Sequence, residues 1–130
     1  MICVIGDFIS DIYVYGEINK ISPESPIPIF NKKHEETRPG GAGNVVENLK
    51  ALGSEVRSYL GHNSVKFRYV CDSHIMFRMD QESYIPNEHI DYYLDDVKFC
   101  ILSDYNKGQL HNSKQIIDYC KSKGCVVIVD

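Results

Sequence analysis

Phe99-Cys100-Ile101-Leu102 and Cys125-Val126-Val127-Ile128-Val129 are two short apolar runs, each the length of a buried strand. Between them, residues 113–123 place Ile116, Ile117 and Cys120 on one side of a helix, and Gly124 supplies the stop. Strand, helix and strand with apolar runs at both ends make a βαβ unit, and therefore a parallel sheet covered by helices. Asp130 directly follows the second run, at the strand end where open parallel sheets bind their ligands. The chain is thus expected to stop at a functional edge.

The same pattern continues towards the start of the chain. Met1 to Gly6 is a third apolar run closed by glycine, and residues 56–60 a fourth. Between these two lies Gly40-Gly41-Ala42-Gly43. It opens a helix in which Val45, Leu49 and Leu52 recur at near-helical spacing before Gly53. Ile12-Tyr13-Val14-Tyr15-Gly16 and Ile27-Pro28-Ile29-Phe30 lean towards strand. The prolines of Ser22-Pro23-Glu24-Ser25-Pro26 bar that segment from a central ladder. Residues 65–70 and 75–79 read as a hairpin turning at Cys71-Asp72-Ser73-His74. Lys66, Arg68 and Arg78 alternate there with Phe67, Tyr69 and Phe77, as in a sheet with one apolar face. The fold class is α/β, with β-rich pieces that have no obvious place in the main sheet.

Composition narrows the function. The 130 residues carry 14 Lys+Arg against 18 Asp+Glu, a formal net charge of −4, with 43% hydrophobic and 25% charged residues. That is the balance of a soluble globular domain, and the slight acidity argues against a duplex nucleic acid as partner. No run approaches a membrane span, and Asp7 comes too early for a signal peptide. Cys3, Cys71, Cys100, Cys120 and Cys125 are odd in number and contain no C-x-x-C pair, so buried reduced thiols in a cytoplasmic protein are expected. The five histidines form no zinc-type spacing, and no metal centre is expected.

Three polar segments sit where strands should end. Arg38-Pro39-Gly40-Gly41-Ala42-Gly43-Asn44 leads into a helix, where glycines admit a ligand close to the backbone and free N–H groups point outward. A plain glycine turn before a helix fits the same residues. No Gly-Lys-Ser/Thr follows, so this is not a Walker loop, which weakens a generic nucleotide-binding module. Gly6-Asp7-Phe8-Ile9-Ser10-Asp11 offers two carboxylates, which suit either sugar hydroxyls or a turn. For Asp7 both readings stand. Leu102-Ser103-Asp104-Tyr105-Asn106-Lys107-Gly108 is the third segment. Together they suggest one shared crevice.

Read in order, VIGDFISDIYVYG, ISPESPIPIF, RPGGAGNVVENLKALG, VKFRYVCDSHIMFRMDQE, ILSDYNKG and CVVIVD resemble the ribokinase-like (PfkB) carbohydrate kinases. The likeness is greatest to the kinase domain of heptose-7-phosphate kinase / ADP-heptose synthase proteins, and it covers nearly the whole chain. It implies a doubly wound, mostly parallel sheet and a small β-sheet lid. The lid strands would lie within about 12–33 and 65–80 of a single truncated domain, 1–130. It also implies that Asp11, Gly40, Gly41 and Asn44 contact sugar hydroxyls and that Asp104 faces the same pocket. Lys66, Arg68, Arg78 and Lys107 would hold a sugar phosphate; for Arg68 and Arg78 a solvated strand face is the plainer reading. ATP and Mg²⁺ are implied as cofactors, and a homodimer through the lid as an assembly.

Two departures shape the expectation. The D-T-x-G-A-G-D motif that carries the family's catalytic base and anion hole is absent, along with the surrounding nucleotide-binding segments. Phosphoryl transfer depends on such positioning and charge stabilisation. Only Gly61-His62-Asn63-Ser64 separates Leu60 from Val65, where the family has a further helix and strand. The chain is therefore expected to be the sugar-phosphate-binding portion of a heptose-phosphate-type kinase, inactive alone. Either a separate chain with the GAGD half completes it, or it is a non-catalytic phosphosugar-binding or dimerising remnant.

Overall fold

The computed structural model describes residues 1–88 and 92–130; the side chains of residues 62 and 63 lie outside the description. Its elements in chain order are β1 (Ile2–Ile21), β2 (Pro28–Gly41), α1 (Ala42–Ala51), β3 (Val56–Cys71), β4 (His74–Glu82), β5 (Phe99–Ser103), α2 (Ser113–Ser122) and β6 (Val126–Val129). The βαβ unit expected at 99–129 is present as β5, α2 and β6, with β5 and β6 parallel from Phe99↔Val126 to Leu102↔Val129.

All six strands form one sheet, ordered β4-β3-β1-β5-β6, with β2 also paired to β1. β1 is the spine. Its first part runs parallel to β3 on one side and to β5 on the other, the latter pairing ending at Gly6↔Ser103. From Phe8↔Gly41 onward the edge vacated by β5 is taken by antiparallel β2. The sheet thus has a parallel base and a mostly antiparallel extension, joined through β1 and β3.

Two expectations are corrected here. The sequence reading divides 1–6 from 12–16, and 56–60 from 65–70; each pair is instead one uninterrupted strand, of 20 and 16 residues. Gly6-Asp7 and Gly61 to Ser64 read as breakers because Gly, Asp and Asn are turn formers. Their backbones nonetheless have ladder partners, Gly6 with Leu60 and Ser103, and Ile9 with Ser64. The one irregularity between β1 and β3 is a register shift at Phe8/Ile9.

Around β1 and β5 the base is packed on both faces, whereas β6, read from its apolar run as a buried strand, is an edge strand with Val126, Ile128 and Val129 exposed. Cys3, Ile5, Cys100 and Leu102 bury against Ile116 and Cys120 of α2, together with Tyr92, Leu94, Val97, Leu110 and Cys125. On the other face Val4 packs with Ala42 and Val46 of α1. All five cysteines are buried and unpaired. Neither ten-residue helix is long and apolar enough to cross a membrane.

In the extension the alternation seen in the sequence sorts charge from grease. Register places Ser64, Lys66 and Arg68 opposite Glu82, Asp80 and Arg78, while Phe67 and Tyr69 meet Met79 and Phe77. Tyr69 and Phe77 stack at 4.2 Å, and Phe30 meets Tyr69 edge-on. This apolar face has little cover: Phe77 is 52% exposed and Met79 45%.

Candidate sugar-phosphate site

The two β1 carboxylates, Asp7 and Asp11, flank the point where β1 leaves the parallel base. Asp7, the last β1 residue before β2 joins, is fully buried. Its Oδ2 accepts from the backbone N–H of Tyr105 at 3.0 Å and of Lys107 at 3.1 Å, and its Oδ1 from that of Gln109 at 3.0 Å. A buried carboxylate is tolerated only with such partners. Of the two readings open for Asp7, the structure shows the turn: the carboxylate shapes the 104–109 loop after β5.

Two turns of strand further on, the Asp11 Oδ1 pairs with Arg68 Nη1 at 2.5 Å, the two side chains 21% and 18% exposed. The other oxygen lies against Gly40, where an added Cβ would collide with it, so only glycine leaves room for the carboxylate. Gly41 caps α1 at φ 56°, a left-handed conformation that glycine adopts without strain. No side chain caps the α1 N-terminus, and Asn44 is exposed in its first turn. The Arg68 guanidinium also lies 5.2 Å from the Tyr13 ring centre, and that of Arg38 4.9 Å from it. The Asp11 hydrogen bond holds Arg68 above the ordinary arginine range, against a smaller desolvation effect.

The other cations form a ladder. Lys66 Nζ reaches Asp80 Oδ2 at 3.0 Å and Glu82 Oε1 at 3.2 Å, Lys107 Nζ reaches Glu82 Oε2 at 2.8 Å, and Arg78 Nε reaches Asp80 Oδ1 at 2.8 Å. Hydrogen bonds from Lys107, then Lys66, hold the Glu82 carboxyl below its usual range. The Lys66 bond acts likewise on Asp80. Asp80 and Glu82 escaped the sequence reading because a carboxylate at i+2 on a strand looks like solvated charge; the cross-strand register that aims them at lysines is not local information.

Asp11, Gly40 and Arg68 are thus brought together, and Lys66, Lys107 and Arg78 are joined through two carboxylates. Asp104 is placed apart from them. Its Oδ1 accepts from Asn106 N–H at 2.7 Å, and it lines a cavity of about 210 Å³ with Tyr84, Asn106, Gly108, Leu110, His111 and Ser113. Asp11, Gly40, Gly41 and Arg68 are not part of that lining.

Comparison with solved structures matches this architecture to sugar kinases. A carbohydrate kinase from Agrobacterium tumefaciens superposes with a TM-score of 0.56 at 11% identity, over 98% of this chain and 52% of that one. Arabidopsis thaliana ribokinase, complexed with ribose and ATP, gives 0.52 at 18% identity, over 99% and 52%. Escherichia coli phosphofructokinase-2 in complex with fructose-6-phosphate gives 0.52 at 12%, over 100% and 54%. The chain has the ribokinase-like fold.

By sequence the chain is similar to the bifunctional protein HldE. Identity is 32% over 164 aligned residues with the Pseudomonas fluorescens protein, and 33% over 170 with that of Helicobacter hepaticus. No family model matches the sequence. The chain spans 35% of the length of either HldE protein. An alignment of 164 positions exceeds the 130 residues of the chain by 34, so the relative carries internal segments that this chain lacks. That agrees with a chain that is internally shortened relative to HldE.

Proposed function

We propose that the chain is the sugar-phosphate-binding portion of a carbohydrate kinase of the heptose-phosphate type. The observation that carries this reading is the Asp11 carboxylate, fixed by Arg68 and seated on Gly40 beside the uncapped N-terminus of α1. A fixed carboxylate accepts from sugar hydroxyls, and free helix N–H groups donate to them. Gly41 and Asn44 supply the backbone and side-chain contacts there, and Lys66, Arg68, Arg78 and Lys107 serve the phosphate-bearing end, with Asp104 set apart beside His111. The sheet extension acts as the lid over the sugar, and the protein works in the cytoplasm, where its five unpaired thiols stay reduced.

ATP and Mg²⁺ belong to the reaction by family. Among the described residues no three His, Cys, Asp or Glu side chains gather into a metal cluster; in such reactions Mg²⁺ is held by one or two carboxylates together with the nucleotide phosphates. Phosphoryl transfer also needs the D-T-x-G-A-G-D half, which these 130 residues do not include. Calorimetry with heptose 7-phosphate tests the binding: Asp11→Ala and Asn44→Ala weaken it at least tenfold, and unchanged affinity in both rejects the pocket. ADP release appears only when the GAGD half is added.

The uncovered face of Phe77 and Met79 favours a second copy as partner. Phe77→Lys converts the dimer to a monomer in sedimentation, and an unaltered sedimentation coefficient excludes that face.

A further inference from the structure

Glu82 holds an unusual place in the charge ladder. Two ammonium groups converge on its carboxylate, Lys107 at 2.8 Å and Lys66 at 3.2 Å. The two lysines come from different parts of the fold, Lys66 from β3 and Lys107 from the loop after β5. Both are mostly buried, their side chains 18% and 19% exposed, whereas that of Glu82 is 38% exposed. Two like charges brought this close require an anion between them.

The position of Glu82 does not depend on the ion pairs alone. Before it, the β3–β4 ladder sets Glu82 opposite Ser64. After it, the chain is tied to the same loop that carries Lys107. Ile85 N–H donates to Lys107 O at 3.1 Å and Asn87 N–H to Gly108 O at 2.9 Å, while the Tyr84 hydroxyl and His111 Nδ1 meet at 2.7 Å. Backbone pairing on both flanks therefore delivers this carboxylate to the lysine pair, with its outer side open to water.

We propose that Glu82 is a built-in occupant of the anion site formed by Lys66 and Lys107, and that a phosphate group binds by displacing it. This rests on the sugar-phosphate reading above and adds to it the means by which the site selects a phosphorylated ligand. A sugar hydroxyl is a weaker acceptor than a carboxylate and leaves Glu82 in place. A phosphate brings nearly two negative charges and three strong acceptor oxygens, and outcompetes a single carboxylate. Across the cluster, Asp11, Asp80 and Glu82 offset all but one of the charges on Lys66, Arg68, Arg78 and Lys107. The resting site therefore holds no strong lure for stray anions.

The test uses the full chain with inorganic phosphate as probe. Glu82→Gln tightens phosphate binding about five- to tenfold, because the competitor no longer holds the lysines. Lys66→Ala with Lys107→Ala abolishes it. A separate reading comes from the unmodified protein by carbon NMR. The Glu82 carboxyl titrates below the ordinary glutamate range when free, and moves back towards that range when phosphate saturates the site. Unchanged or weaker phosphate binding in Glu82→Gln overturns the proposal, as does a Glu82 titration that ignores phosphate. Heptose 7-phosphate binding that is lost in Asp11→Ala yet indifferent to Glu82→Gln overturns this inference alone. Phosphate binding that behaves as described, with heptose 7-phosphate bound no better than phosphate, overturns the sugar reading alone.

Discussion

Asp7 Oδ1 and the backbone N–H of Gln109 are 3.0 Å apart, although 102 residues separate them in the chain. With the bonds from Tyr105 and Lys107, this single carboxylate ties the middle of the central strand to the loop that carries Asp104 and Lys107. Asp7→Asn replaces one of its acceptor oxygens by an NH₂ group that faces a donor. Removing a charged acceptor from buried N–H groups costs about 2–3 kcal/mol. Urea unfolding should report that loss, and amide exchange at Tyr105, Lys107 and Gln109 should quicken with it.

Asp11 and Arg68 should prove coupled in a double-mutant cycle. Both side chains are about four-fifths buried, and their hydrogen bond is charge-assisted. Partial exposure trims the gain, so the expected coupling between Asp11→Asn and Arg68→Gln is about 1–2 kcal/mol. Arg68→Lys should not rescue it, because an ammonium reproduces neither the planar fork nor the contact with the Tyr13 ring. Additive effects on unfolding would remove the pair as the anchor of the crevice.

Ser103 predicts a gain. Its hydroxyl is fully buried and, among the described residues, has no hydrogen-bond partner. Ser103→Ala removes an unmet polar group with almost no change in volume, which should stabilise the fold by about 1 kcal/mol. The midpoint of urea unfolding should rise with its slope unchanged.

The cysteine core predicts the response to alkali. Burial pushes the Cys3 thiol up from 9.0 to about 12 and raises Cys100 and Cys120 as well. The folded state therefore disfavours thiolates that the unfolded chain forms freely. This contribution to stability is full below pH 9 and drains away as the pH climbs from 9 towards 12. Urea midpoints at pH 8 and 10.5 measure the difference. At pH 8 a thiol reagent should label Cys3 and Cys100 only at the rate of unfolding.

The sequence disclosed the parallel base well and the extension poorly, for different reasons. Cys100, Leu102, Ile116 and Cys120 bury as their periodicity demands, because strand and helix periods are local properties. The hairpin of 65–79 and its split between charged and apolar faces were equally legible in the alternation of Lys66, Arg68 and Arg78 with aromatics. The continuity of β1 and β3 was hidden, since Gly6 and Gly61 look like ends until a neighbouring strand supplies the ladder. Asp11 and Gly40 stood out by residue type, but Arg68 read more plainly as a solvated strand face, and Glu82 and the backbone donors of Asp7 depend on loops and strands far away in sequence.

The uninterrupted β1 and β3 carry a mechanical consequence. Both strands pass from base to extension side by side, paired from Ile2↔Val56 to Tyr15↔Val70. They act as two parallel beams clamped at both ends, so the extension cannot swing on a hinge without tearing that ladder. The bulge at Phe8/Ile9 allows bending and twisting only, a soft deformation spread over several residues. On the proposed reading, a lid built this way closes over its ligand by flexing about that bulge, and not by swinging as a separate door.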